Sequence, residues 1–145
     1  QMLYEKGFNI YGIDSSTKMV DRFKKDLPEV PIKCSNVLNS TFFNTNFDAI
    51  IAYGLIIHLP QIQQAKLIEK VSQHLNSNGS FLFNSGDEDG ERMTPPGYNG
   101  GERFMNYSMS SANYKKVLSC NGMILTNHYI EKNFGGTIYI ATKTN

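Results

Sequence analysis

Few side chains in this sequence could do chemistry, and they lie far apart along the chain. Asp14 closes a short apolar stretch and precedes two serines, so its carboxylate is an acceptor at the end of an expected strand. His58 stands directly before Leu59-Pro60 and could act as a base or hydrogen-bond at the start of a helix. Asp14 could equally serve ordinary turn chemistry. These residue types alone therefore leave the catalytic group unknown.

The two cysteines do not indicate a metal site. Neither Cys34 nor Cys120 has a second Cys or a His at metal-ligand spacing. A disulfide framework in a small secreted domain normally needs more cysteines. Both lie in apolar stretches of sequence, so we expect free, buried thiols.

Hydrophobic periodicity predicts strands that alternate with helices. The expected strands are residues 8–13, 30–34, 47–53, 80–84, 123–130 and 137–142. Four helices are expected. The first covers residues 1–6, and the second starts at Ser15 or Ser16 and ends before Pro28. The third runs from Pro60 to Asn78-Gly79, and the fourth covers residues 111–120.

This order predicts an α/β fold, with a mostly parallel, Rossmann-like sheet and helices on both faces. The nearly all-apolar segment 47–53 is typical of a strand that is covered on both faces. The last two strands are joined through Gly135-Gly136, and so short a connection predicts a C-terminal antiparallel hairpin. We find no internal repeat and expect a single domain over residues 1–145.

Composition excludes several classes of partner. The chain has 145 residues with 40% hydrophobic and 19% charged residues, enough to bury the core of one domain. The net charge is +1 and Lys and Arg are spread along the chain, so no basic stripe indicates nucleic acid. No signal peptide and no apolar stretch of membrane-spanning length is recognisable. We expect a soluble, cytoplasmic protein with a small-molecule substrate.

Four segments in order resemble a known family. They are FNIYGIDSS, CSNVLN, FDAIIAYGLIIHLP and HLNSNGSFLFNSG. Together with the terminal hairpin, they resemble the class I S-adenosylmethionine-dependent methyltransferases over essentially the whole chain. The resemblance implies S-adenosylmethionine as the cofactor and methyl transfer as the reaction. An acid like Asp14 would also suit a nicotinamide-dinucleotide domain, but the hairpin and the HLP segment fit that class less well.

The resemblance implies cofactor-binding residues at three places. The acid Asp14, with Ser15 beside it, would bind the ribose hydroxyls. Asn36 stands where the family often has an acid that holds the adenine amino group, and its amide oxygen can still accept from that group. Val37 would form apolar wall for the base. The backbone around Ala52 and Tyr53 would face the methionine part.

The acceptor side of the site is implied more loosely. His58 would lie near the mouth of the site, and Tyr107 is a second candidate for substrate contact. Residues 86–107 are rich in Gly, Pro and acidic residues and show no period, which in a compact domain is typical of a functional or disordered segment. The segment resembles the substrate lid of one small-molecule branch of the family. The methyl acceptor is not identified.

The family's glycine-rich turn has no counterpart in this sequence. It should precede the acid by roughly 20 residues, but only thirteen residues stand before Asp14. The resemblance also implies a first strand between those ending at Asp14 and Tyr53, so two apolar strand edges are expected to be unpaired. The chain is then a fragment, a swapped homodimer, or a degenerate member. The last would make it a non-catalytic remnant that associates with itself or with a partner.

Overall fold

The computed structural model describes residues 1–97, 101–131 and 136–145. These residues form two compact units, residues 1–44 and residues 45–145, within the chain. Each unit is described by itself below. The single domain expected over residues 1–145 therefore stays a prediction.

The first unit is a small βαβ arrangement. Its elements are α1 (Met2–Glu5), β1 (Gly12–Asp14), α2 (Thr17–Asp26), β2 (Ile32–Cys34) and a 3-10 turn (Phe42–Asn44). The strands β1 and β2 are parallel, and Asp14 pairs with Cys34. The N-cap of α2 is Ser16, whose Oγ accepts from Met19 N at 3.4 Å, as a serine before a helix predicts. Val20 and Leu27 of this unit are buried.

The strand expected over residues 8–13 is wrong in its bounds. Only Gly12–Asp14 is a strand, because its one described partner, β2, is itself three residues long. Phe8 and Tyr11 are exposed. Their aromatic character favours a strand, but a strand also needs a neighbour to receive its backbone hydrogen bonds.

The second unit contains most of the secondary structure. Its elements are β3 (Phe47–Ala52), a 3-10 turn (Ile56–His58), α3 (Gln61–His74), β4 (Leu75–Ser85), β5 (Gly90–Met93), β6 (Met105–Ser108), α4 (Ser111–Cys120), β7 (Met123–Glu131) and β8 (Gly136–Lys143). One sheet has the order β3-β4-β8-β7, and β5 pairs with β6 separately. The pair β3–β4 is parallel, and β4–β8 and β7–β8 are antiparallel.

The α/β fold class expected from the sequence is confirmed, as is the C-terminal antiparallel pair of strands. Gly136 begins β8, whereas Gly135 lies outside the described residues. The core of this unit is aromatic: Phe83 stacks on Phe81 and Tyr139 with ring centroids 4.9 and 5.0 Å apart. Tyr114 meets Phe83 edge-on at 5.1 Å. Such ring pairs stabilise the core beyond the area they bury.

The end expected for α3 is wrong. The helix stops at His74, and β4 begins at Leu75, not at residue 80. Lys143 of β8 caps this end of the helix, since its Nζ donates to Ser72 O at 2.7 Å and to Leu75 O at 2.8 Å. Asn78, with φ of 63°, is a left-handed residue within the extended segment and does not end the helix.

The expectation that β3 is covered on both faces is also wrong. Ala52 is buried, but Ile51 is 54% exposed. In the described part of the chain β3 has a ladder partner, β4, on one edge and none on the other. The apolar run predicted a strand with both faces covered, but β3 has an exposed residue on one face and lies at the edge of its described sheet.

Residues 86–107 are more regular than expected. They contain β5 and, with Ser108, β6, which pair from Gly90↔Ser108 to Met93↔Met105. Thr94 is buried, and its Oγ1 accepts from Phe104 N at 2.9 Å. Residues 98–100 of this segment lie outside the described residues. Its role as a lid stays a prediction.

The cysteines are free but exposed, so the expected buried thiols are wrong. Cys34 ends the short strand β2, and Cys120 is the last residue of α4, where an apolar sequence neighbourhood does not guarantee burial. Within the described ranges no helix is long and apolar enough to cross a membrane. No cluster of three or more His, Cys, Asp or Glu that could hold a metal ion occurs among the described residues.

Candidate functional site

Asp14 lies at the carboxyl end of β1, half-buried, with one of its oxygens in use. Its Oδ1 accepts from Ser16 N at 2.7 Å, which fixes the turn into α2. A carboxylate offers about four acceptor positions, so this bond leaves capacity for a ligand. Asp14 also borders a cavity of about 190 Å³, whose other lining residues are Met19, Arg22, Phe23, Asp26 and Ile32.

The other candidate residues of the first unit lie at or just after the carboxyl ends of β1 and β2. Ser35 N donates to Asp14 O at 2.9 Å, and Cys34 Sγ lies 3.8 Å from Ser15 O. Asn36 follows this edge and is exposed, and its Oδ1 accepts from Leu38 N at 2.9 Å. An amide oxygen has two lone pairs, so Asn36 can accept one further hydrogen bond. Val37 is half-buried beside it.

The second unit holds its candidate residues on the segment that follows β3. Ala52 ends β3 and is buried, whereas Tyr53 is 49% exposed. Gly54 has φ of 69°, which a glycine adopts without strain, and its N donates to Asn84 Oδ1. Sequence reasoning missed Asn84. The signal was available, because Asn84 ends the strand expected over residues 80–84, the next strand along the chain after β3.

His58 lies in the 3-10 turn after that segment and is exposed. Its ring meets Phe104 edge-on, with centroids 6.2 Å apart. Phe104 comes from the segment expected to be a lid, and sequence reasoning did not select it. Gln61 Nε2 donates to Ser108 O at 2.7 Å, a second link between the start of α3 and β6. The turn with His58 and the chain around β6 are therefore neighbours.

A buried polar network lies under this turn. Gln64 Nε2 donates to the backbone oxygens of Ile56, Leu59 and Tyr107 at 3.1, 2.8 and 3.0 Å. Tyr107 thus takes part through its backbone oxygen, and its side chain is half-buried. The Tyr114 phenol oxygen lies 2.6 Å from both Gln64 Oε1 and Ser85 Oγ, and with its one hydrogen it donates to Gln64 Oε1 and accepts from the Ser85 hydroxyl.

The phenols of Tyr114 and Tyr139 are not bases at neutral pH. Burial raises the pKa of Tyr114 to about 12, more than the hydrogen bond to Ser85 lowers it. Burial likewise raises the pKa of Tyr139, whose OH donates to Gly86 O at 2.8 Å. Both phenols therefore stay protonated, and their role at neutral pH is to hydrogen-bond.

Comparison with known proteins identifies the family. The methyltransferase-domain family profile matches residues 1–79, more than half of the chain. This chain therefore belongs to the methyltransferase-domain family, of the class I S-adenosylmethionine-dependent type. No curated protein matches the sequence.

Solved structures share the fold at low sequence identity. An S-adenosylmethionine-dependent methyltransferase from Methanosarcina mazei has a TM-score of 0.79 at 14% identity, over 99% of this chain and 85% of that one. One from Clostridium acetobutylicum has a TM-score of 0.70 at 16% identity, over 95% and 76%. The amino pentose methyltransferase CalS10 from Micromonospora echinaspora, solved with the cofactor bound, has 0.76 at 15% identity, over 99% and 78%.

Proposed function

We propose that this protein transfers a methyl group from S-adenosylmethionine to a small-molecule acceptor. The observation that carries the proposal is Asp14, which lies at the carboxyl end of a parallel strand with acceptor capacity left on its carboxylate. Ligands of open α/β sheets bind outside the carboxyl ends of the strands. An amino pentose methyltransferase among the structural neighbours supports a small-molecule acceptor.

We assign the cofactor contacts by chemistry. Asp14 and Ser15 accept from the ribose hydroxyls, and Asn36 accepts from the adenine amino group with Val37 as apolar wall. Ala52 and Tyr53 face the methionine part. Asp14 is half-buried and Asn36 is exposed, and the acceptor capacity that each side chain keeps fits such a ligand.

Little further chemistry is required of the protein. The bound cofactor supplies a methyl group that is already activated on a sulfonium centre. The chain's own residues orient the acceptor and exclude water. His58, exposed beside Phe104, and Tyr107 are proposed to contact the acceptor, and an imidazole at this place can take a proton from it.

The test is calorimetry with S-adenosylhomocysteine on the complete gene product. We expect binding, and an Asp14→Asn substitution to raise Kd by roughly tenfold or more, because hydrogen bonds to charged groups contribute about 1.5–3 kcal/mol. Asparagine keeps an oxygen for Ser16 N, so the substitution should leave Tm nearly unchanged.

The matched control is Asp21→Asn, a substitution at an exposed carboxylate of α2. It should leave Kd unchanged. No binding by the unsubstituted protein would refute the proposed function, and equal Kd values for the two variants would refute the role of Asp14.

Three further expectations stay predictions. They are a cytoplasmic location, the absence of nucleic-acid partners and a homodimer. The non-catalytic alternative has no support from the comparisons. Self-association is compatible with either function, and it is favoured by β3, which among the described residues has a ladder partner on one edge only.

A further inference from the structure

Gln64 is a fully buried polar side chain on a mostly apolar helix face. It shares that face of α3 with Leu67, Ile68 and Val71, all of them buried. Burying an amide costs free energy unless its hydrogen bonds are made inside the protein. The structure therefore has to use both ends of this side chain.

The donor end of Gln64 joins two segments of the candidate acceptor site. The backbone oxygens of Ile56 and Leu59, which receive its hydrogen bonds, enclose the turn that carries His58. The third, Tyr107 O, belongs to β6. An amide nitrogen has two hydrogens, so the three carbonyl groups share them.

The acceptor end fixes the orientation of the amide. Tyr114 OH donates to Gln64 Oε1 at 2.6 Å from α4. Three carbonyl groups face the other end and can only accept, so Nε2 has to point toward them. A hydrophobic side chain of the same length would fill the space but would leave these groups without the amide.

We propose that Gln64 is a positioning residue that holds the His58 turn and β6 in register as one acceptor-side unit. It acts through the backbone and touches neither cofactor nor acceptor. The assignment of this unit to the acceptor side rests on the proposed function. The mechanical coupling of the two segments does not.

The test compares Gln64→Met with Gln73→Met, the same substitution at an exposed position of the same helix. Met removes both polar ends of the side chain and keeps its length. We expect exchange of the His58 and Leu59 amide hydrogens to become about tenfold faster or more in Gln64→Met, because buried carbonyl groups lose a partner. Gln73→Met should exchange like the unsubstituted protein.

The NMR signals of the histidine rings distinguish a positioning role of Gln64 from a general loss of stability. The chain has three histidines, and His58 lies in the ring field of Phe104 at 6.2 Å. In Gln64→Met the His58 Cε1–H resonance should shift or broaden, while those of His74 and His128 stay in place. A uniform change of all three, or a His58 signal equal to that in Gln73→Met, would overturn the proposal.

A measurement on the unsubstituted protein covers the case in which Gln64→Met does not fold. Amide exchange is followed at increasing urea below the unfolding transition. The proposal predicts that residues 56–59 and 105–108 open together, with the same urea dependence. Independent opening of the two segments would contradict it.

Calorimetry distinguishes failure of this proposal from failure of the proposed function. If Gln64 serves the acceptor side, the Kd for S-adenosylhomocysteine should change by less than about threefold in Gln64→Met. A larger loss of affinity would overturn the acceptor-side assignment. If the unsubstituted protein binds no S-adenosylhomocysteine, the proposed function fails and the exchange result still decides the coupling.

Discussion

A single residue, Tyr114, makes the free energy of unfolding depend on pH. Its phenol is fully buried and hydrogen-bonds to Gln64 Oε1 and the Ser85 hydroxyl. Burial raises its pKa to about 12, above the unfolded value of about 10. The neutral phenol's contribution to the free energy of unfolding is therefore complete below about pH 10 and is lost as pH rises toward 12.

Tyr114→Phe should expose this dependence. At neutral pH the substitution should lower the free energy of unfolding by about 1–3 kcal/mol, because buried Gln64 Oε1 and the Ser85 hydroxyl each lose a hydrogen-bond partner. Between about pH 9 and about pH 11 the difference from the unsubstituted protein should shrink by about 1 kcal/mol. Urea unfolding at both pH values measures it, with exposed Tyr129→Phe as the control. A difference that is constant with pH would contradict the prediction.

Candidate site residues could be selected from the sequence where the signal was local. Asp14 after an apolar stretch and His58 before Leu59-Pro60 could be selected from their sequence neighbours. Gln64 and Phe104 could not, because Tyr107, a partner of Gln64, and His58, the partner of Phe104, each lie more than 40 residues away along the chain. A polar residue on the apolar stripe of α3 was a signal, but the sequence does not say which groups it meets.

Among the elements, α4 shows how a helix is specified by local chemistry. Ser110 is its N-cap, and its Oγ accepts from Asn113 N at 3.3 Å. Asp89 supports the same end, since its carboxylate accepts from Ser110 N and Asn113 Nδ2 at 2.9 Å. The hydrogen bond from Asn113, followed by that from Ser110, lowers the pKa of Asp89.

Ser110→Ala should weaken this helix start. Removing a serine cap costs about 1 kcal/mol of stability, since one backbone N–H at the helix end loses its acceptor. Urea unfolding should show this loss, whereas Ser119→Ala, on the exposed side of the same helix, should change stability little. Equal effects of the two substitutions would show that the Ser110 hydroxyl does not act as a cap.

Element bounds followed the sequence where caps decided them and failed where distant residues did. The helix at residues 111–120 was expected at its observed bounds, because the serine cap and Gly122 mark its two ends. The end of α3 is capped by Lys143, which is 71 residues beyond Ser72, and no local pattern contains that information. The exposure of Ile51 likewise depends on what packs against its face of the sheet and not on its own composition.

For the whole molecule, the open edge of β3 predicts self-association. Apolar strands with an unpaired edge offer backbone groups to another chain. In the part of the chain that the structure describes, β3 pairs with β4 alone, and Ile51 on β3 is exposed. A second copy of the same chain can supply the missing neighbour, which is one of the three alternatives that the sequence left open.

Ile51→Lys should therefore reduce self-association of the 145-residue chain. A lysine on an edge strand disfavours pairing with another strand, because its charge would have to be buried in the new sheet. Light scattering over a concentration series should show a smaller average mass for Ile51→Lys than for the unsubstituted chain. The control is Ile62→Lys, at an exposed isoleucine of α3 that no strand pairing involves. A monomeric unsubstituted chain, or equal masses for the two variants, would show that the β3 edge does not drive association.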